Sequence, residues 1–239
     1  PMGEEAARQQ VGIYGACYKL AILMTIFIQA FRYAAEPFFF RNQHQGNARS
    51  MYARVMNYFV AFCCLLFLGV NLYMDLVKHF IQSEAYWVGL SIVPVIMLAN
   101  MFLGIYINLS MWYKLSGQTY FGALISIVGA LVTVGLNYLL IPYFGYVGSA
   151  WTTLFAYGSM MIISYLLGQK YYPIPYNVPR LVVYISVALA LVWTFEQLPQ
   201  TDMLYRMILA TLFLLPFLAM VWRLESSLRR QILQWIWKK

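Results

Sequence analysis

Charge is what this 239-residue chain has least of. Only 10% of its residues are Asp, Glu, Lys or Arg while 62% are hydrophobic, and the mean hydropathy is +0.66. Soluble globular chains carry charge at about a quarter of their positions, so a water-soluble domain is excluded. From Leu115 to Gln169 there is no charged residue at all. A spanning helix takes about 20 apolar residues. That stretch therefore holds two helices, and the turn between them falls at Ile141-Pro142-Tyr143-Phe144-Gly145, where Pro and Gly break the pattern.

Other scarcities exclude other functions. The three cysteines, Cys17, Cys63 and Cys64, all fall in apolar segments, where they act as small hydrophobes, and no disulfide is expected. His44 and His79 stand alone, without a second ligand at helical or loop spacing, so no metal site is expected. No Gly-rich phosphate loop, nucleophile elbow or zinc-protease helix occurs. No catalytic residue and no cofactor is assigned, an ATPase within the chain is excluded, and an enzyme is not expected. Residue 1 is Pro, and no charged leader with a cleavage site opens the sequence, which reads as a fragment or a processed product.

What is there is a series of hydrophobic spans. The expected fold is an all-α polytopic membrane protein of about seven helices: Val11 to Phe40, Tyr52 to Met74, Ala85 to Tyr113, Thr119 to Ile141, Tyr146 to Gly168, Leu181 to Phe195 and Leu204 to Trp222. Residues 1–168 hold five spans, 169–222 a connection and two more, and 223–239 a basic amphipathic tail, with Leu224, Leu228, Ile232 and Trp235 on one narrow face. The connections after spans one, three and five, with the tail, carry eleven cations against one anion, Glu225. The opposite side carries Glu4, Glu5, Asp75, Glu84, Glu196 and Asp202 with Arg8, Lys78 and Arg206. The positive-inside rule then places the N-terminus outside and the C-terminus in the cytoplasm. The formal net charge of +8 is spread between spans rather than gathered on one face, so no nucleic-acid partner is implied; membrane lipids are. Trp87, Trp112, Tyr113, Tyr143, Tyr146, Tyr171 and Tyr172 fall at the expected interfaces. Gly122, Ser126 and Ala130 in span four, and Gly148, Thr152 and Ala156 in span five, form small-residue stripes that let helices approach closely.

The first span carries the candidate site. Tyr14, Tyr18, Thr25, Gln29, Arg32 and Glu36 fall within an arc of about 60° on a helical wheel. A polar stripe in a membrane faces other helices or a hydrated pathway, so Tyr18, Thr25, Gln29 and Glu36 are assigned as cavity-lining. Arg32 and Glu36 also have the i,i+4 spacing of an ion pair that anchors a helix end. Lys19 points about 100° away from Tyr18 and is either a cavity cation or an outer-leaflet snorkeller; the sequence leaves both open. Asn71, Asn100, Asn108 and Asn137 are expected to hydrogen-bond between helices more than to touch a substrate.

The run Val11-Gly12-Ile13-Tyr14-Gly15-Ala16-Cys17-Tyr18-Lys19-Leu20-Ala21, followed by Gln29-Ala30-Phe31-Arg32-Tyr33-Ala34-Ala35-Glu36-Pro37-Phe38-Phe39-Phe40, resembles bacterial polysaccharide biosynthesis proteins of the oligosaccharide flippase type, in the multidrug/oligosaccharidyl-lipid/polysaccharide exporter superfamily. Gly145-Tyr146-Val147-Gly148-Ser149-Ala150 agrees more loosely. The resemblance implies two six-helix lobes, often with two extra C-terminal helices, that flip undecaprenyl-pyrophosphate-linked glycans across the bacterial inner membrane. The opening phrase corresponds to the second helix of the second lobe, just after a periplasmic turn. On that implication the seven spans are five of the second lobe, lacking its first helix, plus the two extra ones. The N-terminal lobe is then a missing partner, the substrate a lipid-linked glycan, and Lys19 and Arg32 the positions that fit its pyrophosphate. Three rival readings remain: a drug/cation antiporter of the same superfamily, for which Glu36 is the available carboxylate; a seven-helix receptor; and a membrane glycan ligase or polymerase, which calls for a large external loop.

Overall fold

The computed structural model describes residues 4–81, 83–199 and 202–225. Among them there is no strand. The helices are α1 (Glu4–Asn42), α2 (Ala48–Leu72), α3 (Met74–Val77), two 3-10 stretches (Lys78–Phe80 and Glu84–Ile92), α4 (Val93–Leu109), α5 (Met111–Leu115), α6 (Tyr120–Tyr171), α7 (Val178–Glu196) and α8 (Met203–Leu224). Six of the helical segments are long and apolar enough to cross a membrane by length and composition. The chain is therefore of the class of all-α polytopic membrane proteins.

At 52 residues, α6 is about 78 Å of helix at 1.5 Å per residue, more than twice the roughly 30 Å hydrocarbon thickness. It does not run straight. Pro142 supplies no amide for the Tyr138 carbonyl, and Gly145 breaks the helix at φ 55°, ψ −133°, a backbone region that a side chain disfavours. Beyond it the second arm returns along the first: a Cβ on Gly129 would meet Met160, and one on Gly148 would meet the Leu140 carbonyl. Counting each arm once, the six segments give seven spans, with the turn where Pro and Gly placed it.

The bundle is built around α2 and α4. The most apolar window of α2 is 67% buried, against 11% for those of α6 and α8, so α2 is core while α6 and α8 present most of their apolar surface outward. Helix α4 packs on α1, α2 and α6, whereas α7 lies along α2, and α8 on α2 and α7. Where α1, α2 and α4 meet, Gly104 leaves so little room that a Cβ would sit 2.6 Å from the Phe59 ring and 3.0 Å from Ile28. Cys17, Cys63 and Cys64 are free and buried.

Two expectations need correction. The stripe of Gly148, Thr152 and Ala156 is buried, but Ser126 and Ala130 in the first arm of α6 are exposed. That arm packs instead through Phe121, Ile125 and Gly129, a face rotated by one residue, because Gly129 yields the space that Met160 fills. Trp112 and Tyr113 are not belt residues. Trp112 is 1% exposed; its Nε1 donates to Ser164 Oγ at 3.3 Å, and the Tyr113 hydroxyl pairs with that of Tyr106 at 3.3 Å. Their position near a helix end does not keep them at the surface, since the second arm of α6 covers Trp112 at Ser164 and Gly168, and the first arm lies against Tyr113 at Gly122. Tyr143, 84% exposed, does stand out at the turn. The tail expected over 223–239 lies outside the described residues from position 226 onward.

Candidate functional site

Helix α1 is 39 residues long and continues through Pro37, so its polar residues are held in strict helical register. Near its start, Gln10 Oε1 accepts a hydrogen bond from the Tyr146 backbone N–H at 3.0 Å, tying α1 to the α6 turn, and the Tyr146 hydroxyl reaches the Val88 carbonyl at 3.4 Å. About one and two turns on, Tyr14 and Tyr18 stack with ring centroids 6.2 Å apart, within electrostatic range of Tyr157 in the second arm. Thr25 and Gln29 are half-buried. Thr25 Oγ1 is shielded and has no hydrogen-bond partner, a costly state for a hydroxyl.

The stripe ends in a charged trio. Arg32 Nε donates to Glu36 Oε1 at 3.3 Å, and Lys114 Nζ pairs with the same oxygen. Glu36 thus joins α1 to α5, and the trio carries net charge of one cation. All three side chains are shielded without being sealed, with 42% of Arg32, 31% of Glu36 and 27% of Lys114 exposed. Between Arg32, Glu36, Phe39 and Asn108 lies a void of about 10 Å³, close to the minimum for one water, and Asn108 Nδ2 is buried there without a partner. Arg32 and Glu36 are brought together as their i,i+4 spacing required. Lys114, their third member, was not among the site residues expected from the sequence. A signal was present, for Lys114 is the one charged residue between Ala85 and Gln169, and it falls at the same end of the bundle as Glu36, the anion at the end of the first span.

Lys19 is not brought to this site. Thirteen residues separate it from Arg32, which on a continuous helix is about 20 Å along the axis and about 140° around it. It is exposed and borders a separate cleft of about 360 Å³ between α1 and the segment Phe80–Tyr86. The asparagines divide. Asn100 Nδ2 reaches across to the Ala21 carbonyl at 3.4 Å, and Asn71 Nδ2 bonds the Phe67 carbonyl of its own helix at 2.7 Å while facing Met97 Sδ at 3.7 Å. Asn71 Oδ1, Asn108 Nδ2 and Asn137 Oδ1 have no partner, so a cross-helix bond to a carbonyl forms at Asn100 and only a sulfur contact at Asn71.

Two further ionic clusters fasten the last pair of helices. Asp75 holds Lys78 at 3.4 Å and Arg206 at 3.0 Å, with Arg206 over the Phe195 ring at 5.2 Å. At the other end Glu225, 3% exposed, accepts from Arg180 Nη1 at 3.2 Å and from the Tyr184 hydroxyl at 3.0 Å. Among the described residues no group of three or more His, Cys, Asp or Glu is placed to hold a metal ion. Comparison with protein-family models, with curated proteins and with solved structures gives no match.

Proposed function

We propose that this chain takes part in moving a lipid-linked oligosaccharide, of the undecaprenyl-pyrophosphate class, across the bacterial cytoplasmic membrane for cell-surface polysaccharide synthesis. The bundle would rock against a second lobe around a hydrated cavity, without covalent chemistry or a cofactor. One observation carries the reading: a cationic trio, Arg32, Glu36 and Lys114, stands at the end of a polar stripe that includes the unpartnered Thr25 hydroxyl. A net positive charge in a medium of low dielectric attracts phosphate far more strongly than it would in water, and hydroxyl and amide groups suit a glycan. The resemblance of residues 11–40 to oligosaccharide flippases agrees with it. Of the two cations expected at the pyrophosphate, Arg32 keeps that role here. The antiporter reading has less support, because its carboxylate, Glu36, is already bridged by two cations.

The test is complementation. In a strain lacking its own flippase, the gene product that contains this chain should restore surface polysaccharide, and the R32Q/K114Q double variant should reduce export at least tenfold at equal protein abundance. Parental export by the double variant would overturn the proposal.

A further inference from the structure

The cleft beside Lys19 lies on the flank of α1 next to the polar stripe, centred about 100° around the helix from Tyr18, and its construction is specific. Its floor is a row of small residues, Gly12, Gly15 and Ala16, with Lys19 at the inner end, and its far wall is formed by Phe80, Ile81 and Tyr86. The floor is low because nothing fills it: a Cβ on Gly15 would meet no atom within 4 Å. From Val11 to Lys19 the cleft follows α1 for about 12 Å. The Cα–Cβ bond of Lys19 tilts toward the helix N-terminus, the direction of Gly12, and Lys19 lines the cleft together with Tyr86, whose hydroxyl oxygen stands 3.5 Å from the position of a Cβ on Gly12. Neither Lys19 Nζ nor the Tyr86 hydroxyl has a hydrogen-bond or ion-pair partner among the described residues. The nearby carboxylate Asp75 is taken by Lys78 and Arg206, and Glu84, on the same connecting segment as Tyr86, forms no ion pair with Lys19. Phe80, at the rim, is 80% exposed. An ammonium that faces lipid without a counter-charge is expensive, and an anion that follows it into the cleft removes that cost.

We propose that this cleft binds the phosphate headgroup of an anionic glycerophospholipid, held between Lys19 Nζ and the Tyr86 hydroxyl over the glycine floor, with an acyl chain running past Phe80. The charge selects an anion; the apolar rim and the exposed helix face select a lipid over a free phosphate. The site is independent of the transport reading, since it shares no residue with the Arg32 trio.

The experiment is native mass spectrometry of the purified full chain after equal exposure to mixed micelles of phosphatidylglycerol or phosphatidylcholine. The parent should retain phosphatidylglycerol in preference to phosphatidylcholine. K19Q should lower its occupancy about tenfold, the scale of a charge-assisted hydrogen bond, and Y86F about threefold, while K19R keeps most of it. V11W covers the mouth of the cleft at a position that is 72% exposed, so it should block binding without disturbing the fold. Equal retention of the two lipids, parental occupancy in K19Q and V11W, or displacement by millimolar inorganic phosphate would each overturn the site.

Discussion

Arg206 Nε lies 3.0 Å from Asp75 Oδ2, pinning the start of α8 to the end of α2 through the short α3. Helix α8 buries little of its own surface, with Ala210 and Phe217 as its buried residues, so polar contacts at its ends and the Tyr73–Thr211 hydroxyl bond of 2.8 Å carry much of its attachment. Arg206 is 13% exposed and Asp75 27% exposed, which shields the pair from screening. Asp75→Asn should strand two cations at once and cost about 2 kcal/mol. In a chain of this size that is a fall of about 4–8 °C in Tm, measurable by thermal unfolding in detergent. An unchanged Tm would make the pair a surface contact of no structural consequence.

Gly145 should tolerate no side chain. Its φ of 55° lies in the left-handed region, where a Cβ costs about 1–2 kcal/mol, and that Cβ would stand 2.5 Å from Gln10 Oε1. Gly145→Ala should therefore destabilise by about 2–3 kcal/mol, strain and the lost Gln10–Tyr146 bond together. Gln10→Ala alone should cost about 1 kcal/mol. Because both variants remove the same bond, the double variant should cost less than the sum of the two, and the same unfolding assay reads all three.

The polar stripe of α1 should be hydrated. The native cysteines are buried, so the background for a water-soluble thiol reagent is low. Cysteine in place of Gln29, which is half-buried, should react at least tenfold faster than cysteine in place of Ile26, which is 59% exposed on the face toward lipid, or of Ile28, which is 1% exposed in the core. Equal labelling at all three positions would remove the hydrated pathway on which the transport proposal depends.

The charge bias predicts an orientation. The described connections do fall at two ends, with the Gln10–Tyr146–Val88 and Asp75–Arg206 contacts at one and the Glu36–Lys114 and Arg180–Glu225 pairs at the other. The second end carries the cation excess, and the positive-inside rule assigns it to the cytoplasm. A reporter active only in the periplasm, fused after Lys239, should be silent, and the same reporter inserted after Tyr143 should be active. The reverse result would invert the bundle.

The number of spans, their approximate limits and the turn before Gly145 were legible because each depends on local composition. Charge-free length, Pro and Gly report the membrane and its breaks without reference to any other helix. The Arg32–Glu36 pair was legible for the same reason, since its two members lie one turn apart on one helix.

Residues far apart in sequence were a different matter. A helical wheel fixes the angles between residues of one helix and leaves open how that helix is rotated against its neighbours. Only packing decided that Phe121, Ile125 and Gly129 face inward while Ser126 and Ala130 face outward, and that the second arm of α6 covers Trp112. Only packing brought Lys114 to Glu36, Arg206 to Asp75 and Arg180 to Glu225, because a buried charge takes whichever opposite charge the assembled bundle places within reach. Lys19 and Arg32 share one helix and one sign of charge, so the sequence permitted a shared ligand. The unbroken course of α1 from Lys19 to Arg32 sets them about 20 Å apart on different faces, and that distance decides that no single phosphate is held by both.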